Sequence, residues 1–201
     1  MMELDLTGEH APAAYKILAS LVTPRPIAWV TTTDPEGRSN AAPFSFFNVF
    51  GTRPPVVVFA PGDKEPGVPK DTAKNIRDTG EFVVNLVDES VFGPMVQSAA
   101  TLPHGIDELD GSGLSYTPSS AVKPPRITEA PAALECVEHS TLRIGQNRLV
   151  VGQVLRVWAR NGIFDPETLH FDPQQFQPIA RMATPDWYAR TADLFEHERP
   201  D

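Results

Sequence analysis

Proline and glycine constrain this chain more than any other feature of it. Twenty-one prolines and thirteen glycines, about one residue in six, are spread over 201 residues. Each proline locks φ and removes a backbone donor, so it breaks helix interiors and is tolerated in sheets only at edges, strand starts and bulges. Long helices are therefore excluded, and short strands joined by turns are expected. Hydrophobic residues make up 41% and charged residues 21%, a balance that suits one globular domain over residues 1–201.

Periodicity places the elements. Ala14, Ile17, Leu18 and Leu21 share a helical face, so a helix is predicted over Pro12–Leu21, within an N-terminal helical segment of residues 1–22. It must stop before Thr23-Pro24-Arg25-Pro26. Pro26–Thr33 and Arg38–Phe44 are predicted strands of a hairpin closed by Asp34-Pro35-Glu36-Gly37, with proline and glycine where a type I turn wants them. The apolar run Pro55–Ala60 is consistent with a strand buried on both faces. Lys70–Thr79 is a short helix ended by Gly80, Glu81–Val87 a strand and Ser90–Ala100 a helix. Residues 101–125, rich in Gly, Ser, Pro and Thr, are expected to form a long loop or lid. Ala132–Ile144 and Arg148–Arg160 form a second hairpin around Gly145-Gln146-Asn147, and a last helix is expected at Pro185–Phe195. Five or six hairpin-linked strands with helices at the margins argue a mainly β fold, a β-barrel with peripheral helices.

The net charge of −9 argues against nucleic acid or an anionic membrane as the main partner. No apolar run reaches the roughly 18–20 residues of a spanning helix, and the acidic start MMELDLTGEH lacks a signal-peptide core. A soluble cytoplasmic protein is expected. Cys136 stands alone, so no intrachain disulfide can form. His10, His104, His139, His170 and His197 are scattered, and Cys136 with His139 supplies only two ligands, so no metal site is expected. Cys136 itself sits among strand residues, where a buried, inert thiol is the usual outcome. No phosphate-loop, dinucleotide, zinc-protease or serine-nucleophile motif is present.

Two stretches stand out. In Ser39-Asn40-Ala41-Ala42-Pro43-Phe44-Ser45-Phe46-Phe47-Asn48, a strand of small residues runs into a polar and aromatic loop. Small side chains let a flat ring approach the backbone, with Ser45 and Asn48 offering donors; the alternative is a hairpin strand whose phenylalanines plug the core. Lys70-Asp71-Thr72 opens a helix, and a helix N-terminus with an added ammonium and hydroxyl suits a phosphate. The alternative there is an ordinary capped helix with a solvated lysine. Arg25 and Arg181 are further candidate contacts, or else surface ion pairs and packing elements, and Arg53 reads as closing the loop ahead of Pro54-Pro55.

These residues also carry a resemblance. Pro24-Arg25-Pro26-Ile27-Ala28-Trp29-Val30, Ser39–Asn48, Pro54–Val58, Lys70-Asp71-Thr72-Ala73-Lys74-Asn75-Ile76 and Glu81–Asn85 resemble, in order and spacing, the flavin reductase-like family of FMN-binding split barrels, its flavoredoxin-like branch above all. The resemblance implies a six-stranded Greek-key split barrel and a homodimer with noncovalent FMN near the subunit interface. It implies backbone contacts to the flavin ring from Asn40, Ala41, Ala42 and Pro43. Ser45 and Asn48 would reach the ribityl chain or phosphate, Lys70 and Thr72 would take the phosphate, and Arg25 and Arg181 would add contacts. His170 and Tyr188 would neighbour the ring or the entering substrate. Met182-Ala183-Thr184-Pro185 stands where the family often carries glycines, which leaves the part of Trp187-Tyr188 open. The implied function is an FMN-dependent oxidoreductase moving electrons from NAD(P)H to flavin or another acceptor. The flavin carries the chemistry, and no catalytic side chain is expected. Two rivals stand beside it: an FMN-carrying electron-transfer protein without its own NAD(P)H turnover, and a flavin-free split-barrel interaction domain.

Overall fold

A computed structural model describes residues 1–100, 108–109 and 111–198. Predicted features at 101–107 and 110, His104 among them, lie outside the described residues. A 3₁₀ turn, Ala11–Ala13, leads into α1 (Ala14–Leu21). β1 (Ala28–Thr33) and β2 (Ser39–Phe44) pair antiparallel across the predicted turn, where Gly37 takes φ +86° and Asp34 caps the reversal through Arg38. β3 (Phe47–Thr52) and β4 (Pro55–Phe59) form the next hairpin, followed by the small ribbon β5 (Asp63–Glu65) and β6 (Val68–Pro69). α2 (Asp71–Thr79) ends at Gly80, whose φ of +74° is the left-handed cap expected from the sequence. β7 (Glu81–Asn85) and α3 (Phe92–Gln97) follow. β8 (Tyr116–Thr117) pairs with β9 (Arg126–Ile127), β10 (Ala132–Ile144) with β11 (Asn147–Ala159), and β12 (Ile179–Arg181) with β13 (Tyr188–Arg190).

Seven strands make the main sheet, in the order β2-β1-β7-β10-β11-β4-β3. Its two edge strands are consecutive in sequence, separated only by Ser45 and Phe46. Two edges tied by two residues force the sheet to curl back on itself. The fold is the expected mainly β barrel, split between β2 and β3, with seven strands in place of six.

β1 shows how the barrel is filled. Its alternate residues Ala28 and Val30 face an interior with Phe44, Val57, Phe59, Phe82, Val84, Cys136 and Val150. Trp29 faces outward with Ile27, yet is fully buried under Val87, Val91, Met95, Ile127 and Ile179. Each fully buried side chain of this size contributes about 1.5–3 kcal/mol.

Several expectations are corrected. β4 alternates, with Val57 and Phe59 buried and Val56 and Val58 half-buried, so only one of its faces belongs to the core. The residues after Phe44 are not all loop, because Phe47–Thr52 pairs with β4. Leu18 and Leu21 of the expected apolar helix face are 47% and 73% exposed, and Ala19 is the buried residue of α1. The expected Pro185–Phe195 helix is absent. Tyr188–Arg190 is instead a strand, drawn into pairing with Ile179–Arg181. The described part of 101–125 packs on the barrel, where Ser120 and Ala121 donate backbone N–H groups to the buried Glu135 carboxylate at 3.0 and 2.6 Å. No helix among the described residues is long and apolar enough to cross a membrane.

Candidate functional site

The seam of the barrel opens into a cleft of about 940 Å³. Its floor is Pro43, Phe44, Ser45 and Phe46, the segment that leaves β2 to cross to β3. Phe44 turns inward onto Phe59, their ring centroids 5.3 Å apart, and the Phe46 carbonyl accepts from Ala60 N. α3 and the residues after it supply one wall, through Met95, Val96, Gln97, Ala99 and Ala100. β12 and β13 supply another with Arg181 and Tyr188, and Tyr15 of α1 closes over Phe46 at 6.1 Å.

The remaining wall comes from the far end of the β10–β11 hairpin. Thirteen-residue strands span about 43 Å at 3.3 Å per residue, enough to carry the hairpin tip past the barrel. There Gln146 O accepts from Asp63 N, Arg148 N donates to Pro61 O, and Arg148 pairs with the buried Asp63 carboxylate. Asn147 is thereby set into the cleft beside Gly62.

A second cavity of about 110 Å³ adjoins the cleft, sharing Pro43, Lys70, Ala99 and Ala100 with it. Its base is the N-terminus of α2. Lys70 is the extended N-cap residue, and no side chain caps that end. The Asp71 carboxylate is turned to Lys64, 2.8 Å away, so it does not offset Lys70 directly. The Lys70 ammonium lies 5.6 Å from the Phe44 ring centroid and has no carboxylate within ion-pair distance among the described residues. Asn40 and Thr72, both buried, meet across this cavity. Assigned from the hydrogen-bond network, the Asn40 amide accepts from Thr72 Oγ1 at 3.0 Å and donates to a Glu108 oxygen at 3.1 Å. The other Glu108 oxygen accepts from Ala41 N at 2.9 Å.

Of the residues singled out from the sequence, Asn40, Ala42, Pro43, Ser45, Lys70, Thr72 and Arg181 line these two connected spaces. Ala41 is buried beside them with its N–H given to Glu108. Arg25 is elsewhere. Its guanidinium donates to the carbonyls of Ala19 (2.5 Å), Val22 (2.7 Å) and Met182 (2.9 Å), and it meets the cleft lining through Ser45 Oγ at 3.4 Å and over the Phe46 ring, 5.8 Å from its centroid. Desolvation lowers its pKa, and nearby Arg181 adds a smaller effect in the same direction. Arg25 thus clamps α1 to the segment after β12. Asn48 is exposed on β3, its amide oxygen accepting from Val49 N, and lines neither space. His170 and Trp187 are exposed and line neither, whereas Tyr188 lines the cleft. Arg181 is fixed by the carbonyls of Pro185 and Trp187 and lies 4.7 Å from the Tyr188 ring centroid. Burial, then the Glu135 charge, pushes the Cys136 thiol up to about 12, the inert state expected of it.

Glu108, Asn147, Tyr15 and the α3 wall were not singled out from the sequence. No local pattern marks Glu108. For Asn147 the only signal was the unusual length of the alternating hairpin.

Comparison with known proteins gives the following. The model of the flavin reductase like domain matches residues 20–180. A protein of Deinococcus radiodurans is 43% identical over 197 residues, covering 96% of this chain and 87% of that one. The crystal structure of Pseudomonas fluorescens 2-nitrobenzoate 2-nitroreductase NbaA superimposes with a TM-score of 0.89 at 36% identity, covering 99% of this chain and 96% of that one. Nitrilotriacetate monooxygenase component B from Bacillus cereus gives a TM-score of 0.92 at 28% identity, with 98% of each chain covered.

Proposed function

This chain belongs to the flavin reductase-like domain family, and on that premise we propose that it is an oxidoreductase that binds FMN in the seam cleft and passes electrons from NAD(P)H to that flavin or to another acceptor. The observation that carries the proposal is Lys70. Its ammonium lies at the uncapped N-terminus of α2, where the cleft and the smaller cavity meet, with no carboxylate paired to it among the described residues. Partial positive charge and free N–H groups at a helix start favour an anion. At about 4 Å and an effective dielectric near 20, one opposite charge adds roughly 4 kcal/mol before desolvation losses. That local term acts against a diffuse net charge screened beyond about 8–10 Å and against the Glu108 and Asp71 carboxylates on the same cavity.

The residues fit such a group. A volume of about 940 Å³ lies within the range of small-molecule sites, roughly 300–1,000 Å³. Lys70, Thr72 and Asn40 would hold the phosphate. Pro43 to Phe46 would receive the flat ring, with Met95 and Tyr188 excluding water from it. Arg181, its guanidinium fixed by backbone carbonyls, faces the cleft with Asp186 3.7 Å away as its ion-pair partner. Arg25 acts one step back, positioning Ser45 and the end of α1. The bound flavin supplies hydride and electron transfer, and the protein's part is orientation and electrostatics.

A homodimer is part of the same proposal. Tyr15 in the cleft wall, Leu21 and Val22 at the end of α1, and Val49 and Phe50 on β3 are each more than 60% exposed, apolar side chains that a second copy would cover. Native sizing at twice 22.0 kDa is expected, and a monomer mass contradicts it.

The decisive experiment is anaerobic. The purified protein is reconstituted with FMN and titrated with NADH, then NADPH, while the flavin absorbance is followed. Bleaching by either nicotinamide is the expected result. FMN binding without bleaching transfers the case to the electron-carrier reading. A colourless protein that FMN does not reconstitute overturns both.

A further inference from the structure

We infer that Glu108 sets the protein's preference between phosphorylated and unphosphorylated flavins, because its carboxylate holds the donors that a phosphate would use. The inference rests on the reading of the Lys70 cavity as the anion end of the flavin site. One Glu108 oxygen accepts from the backbone N–H of Ala41 at 2.9 Å, and the other from the Asn40 amide at 3.1 Å. Asn40 is in turn bonded to Thr72 in the first turn of α2. Glu108, Lys70, Thr72 and Asn40 line one cavity of about 110 Å³. The other charges on that cavity, Lys64 and Asp71, are paired with each other.

A space of that size takes one anionic head. A carboxylate already satisfies the amide donors there, in charge-assisted bonds about twice as strong as neutral ones. A phosphate arriving beside Lys70 must therefore displace Glu108 from Asn40 and Ala41 or share the cavity with a like charge. Either way, part of the attraction of Lys70 is offset for FMN. Riboflavin, with a hydroxyl at that end, has no charge for Glu108 to oppose. Glu108 consequently narrows the affinity gap between the two flavins, acting as a specificity residue outside the electron-transfer chemistry.

The test measures equilibrium binding of FMN and of riboflavin to the full-length apoprotein by quenching of flavin fluorescence, in wild type, E108Q, E108A and K70A. E108Q keeps the side chain's shape and removes its charge. FMN is expected to bind about tenfold tighter, equivalent to about 1.4 kcal/mol, in both E108Q and E108A. Riboflavin affinity should change less than about twofold. K70A should weaken FMN about tenfold or more and spare riboflavin. If K70A behaves so but the FMN-to-riboflavin ratio is unchanged in E108Q and E108A, the inference about Glu108 is overturned and the anion end stands. Equal weakening of both flavins in the Glu108 variants also overturns it, by assigning Glu108 to a neutral part of the ligand. If K70A leaves the ratio unchanged too, the assignment of the anion end itself falls.

Discussion

At Gly152 on β11 the barrel interior leaves no room for a side chain. A Cβ built at Gly152 would stand 2.2 Å from Phe82 Cζ and 3.0 and 3.2 Å from its two Cε atoms. Carbon atoms prefer about 3.5–4.0 Å, so ring and strand would have to part by roughly 1.3 Å. Phe82 cannot swing aside: it is fully buried, with the Phe59 ring centroid 5.4 Å away and Cys136 paired across the ladder. Overpacking usually costs 1–3 kcal/mol, and a contact this short against a ring hemmed in on every side argues for about 3 kcal/mol. In a domain of this size that corresponds to a Tm lowered by roughly 6–12 °C. The assay is thermal unfolding of Gly152→Ala in the wild-type background and in Phe82→Leu. The leucine shortens the side chain where the methyl would land, so there Gly152→Ala should cost less than about 1 kcal/mol. A Tm for Gly152→Ala within about 2 °C of wild type, or an equal cost in both backgrounds, would refute the argument that the Phe82 ring occupies the space a side chain needs.

Two further outcomes follow from charged groups outside the cleft. Burial alone would raise the Glu135 carboxyl, but N–H bonds from Ser120 and Ala121 and the Trp158 indole at 2.5 Å outweigh it and hold its pKa below the ordinary carboxyl value. A depressed folded-state pKa stabilises the protein above the unfolded value and loses that contribution as pH falls through the folded one. Glu135→Gln should therefore cost about 1–3 kcal/mol at pH 7, with the gap to wild type shrinking below about pH 4.5 in urea unfolding; a gap constant down to pH 3 would contradict the assignment. Arg25→Lys replaces a planar fork by a single ammonium that cannot reach Ala19, Val22 and Met182 together, and should cost about 1–2 kcal/mol. It should also speed proteolysis in α1; unchanged cleavage would show that the clamp is not what holds α1.

Much of the fold could be read locally because turn chemistry is local. Asp34-Pro35-Glu36-Gly37 and Gly80 each need only their own backbone geometry, and both do what their residue types require. The failures share one cause. The periodicity of α1 is real, but it does not say whether Leu18 and Leu21 meet this chain or something outside it. Tyr188–Arg190 became a strand because Ile179–Arg181 offered it a partner, and no local propensity encodes a partner. The site divides in the same way. Lys70 and Thr72 were legible because a lysine opening a helix has a chemical meaning on its own. Glu108 comes to the site from far along the sequence and Asn147 on a hairpin tip carried across the barrel, and their neighbours exist only once the chain has folded.

The placement of the site follows from the one place where the sheet is unfinished. Among the described residues β2 pairs with β1 on one side and with no strand on the other, and β3 ends the sheet at its opposite edge. Unpaired edges present open backbone groups and are normally blunted. Here Pro43 removes a donor from β2 and a bulge between Val49 and Gly51 distorts β3. The Ala41 N–H, two residues before Pro43, is still met by an anionic side chain instead of a strand. That edge donor is thus already taken by Glu108, and the uncapped helix start with the Lys70 ammonium faces the same cavity from the other side. The seam between these edges, crossed by the short connection through Ser45 and Phe46, is where the barrel leaves a cleft in its wall.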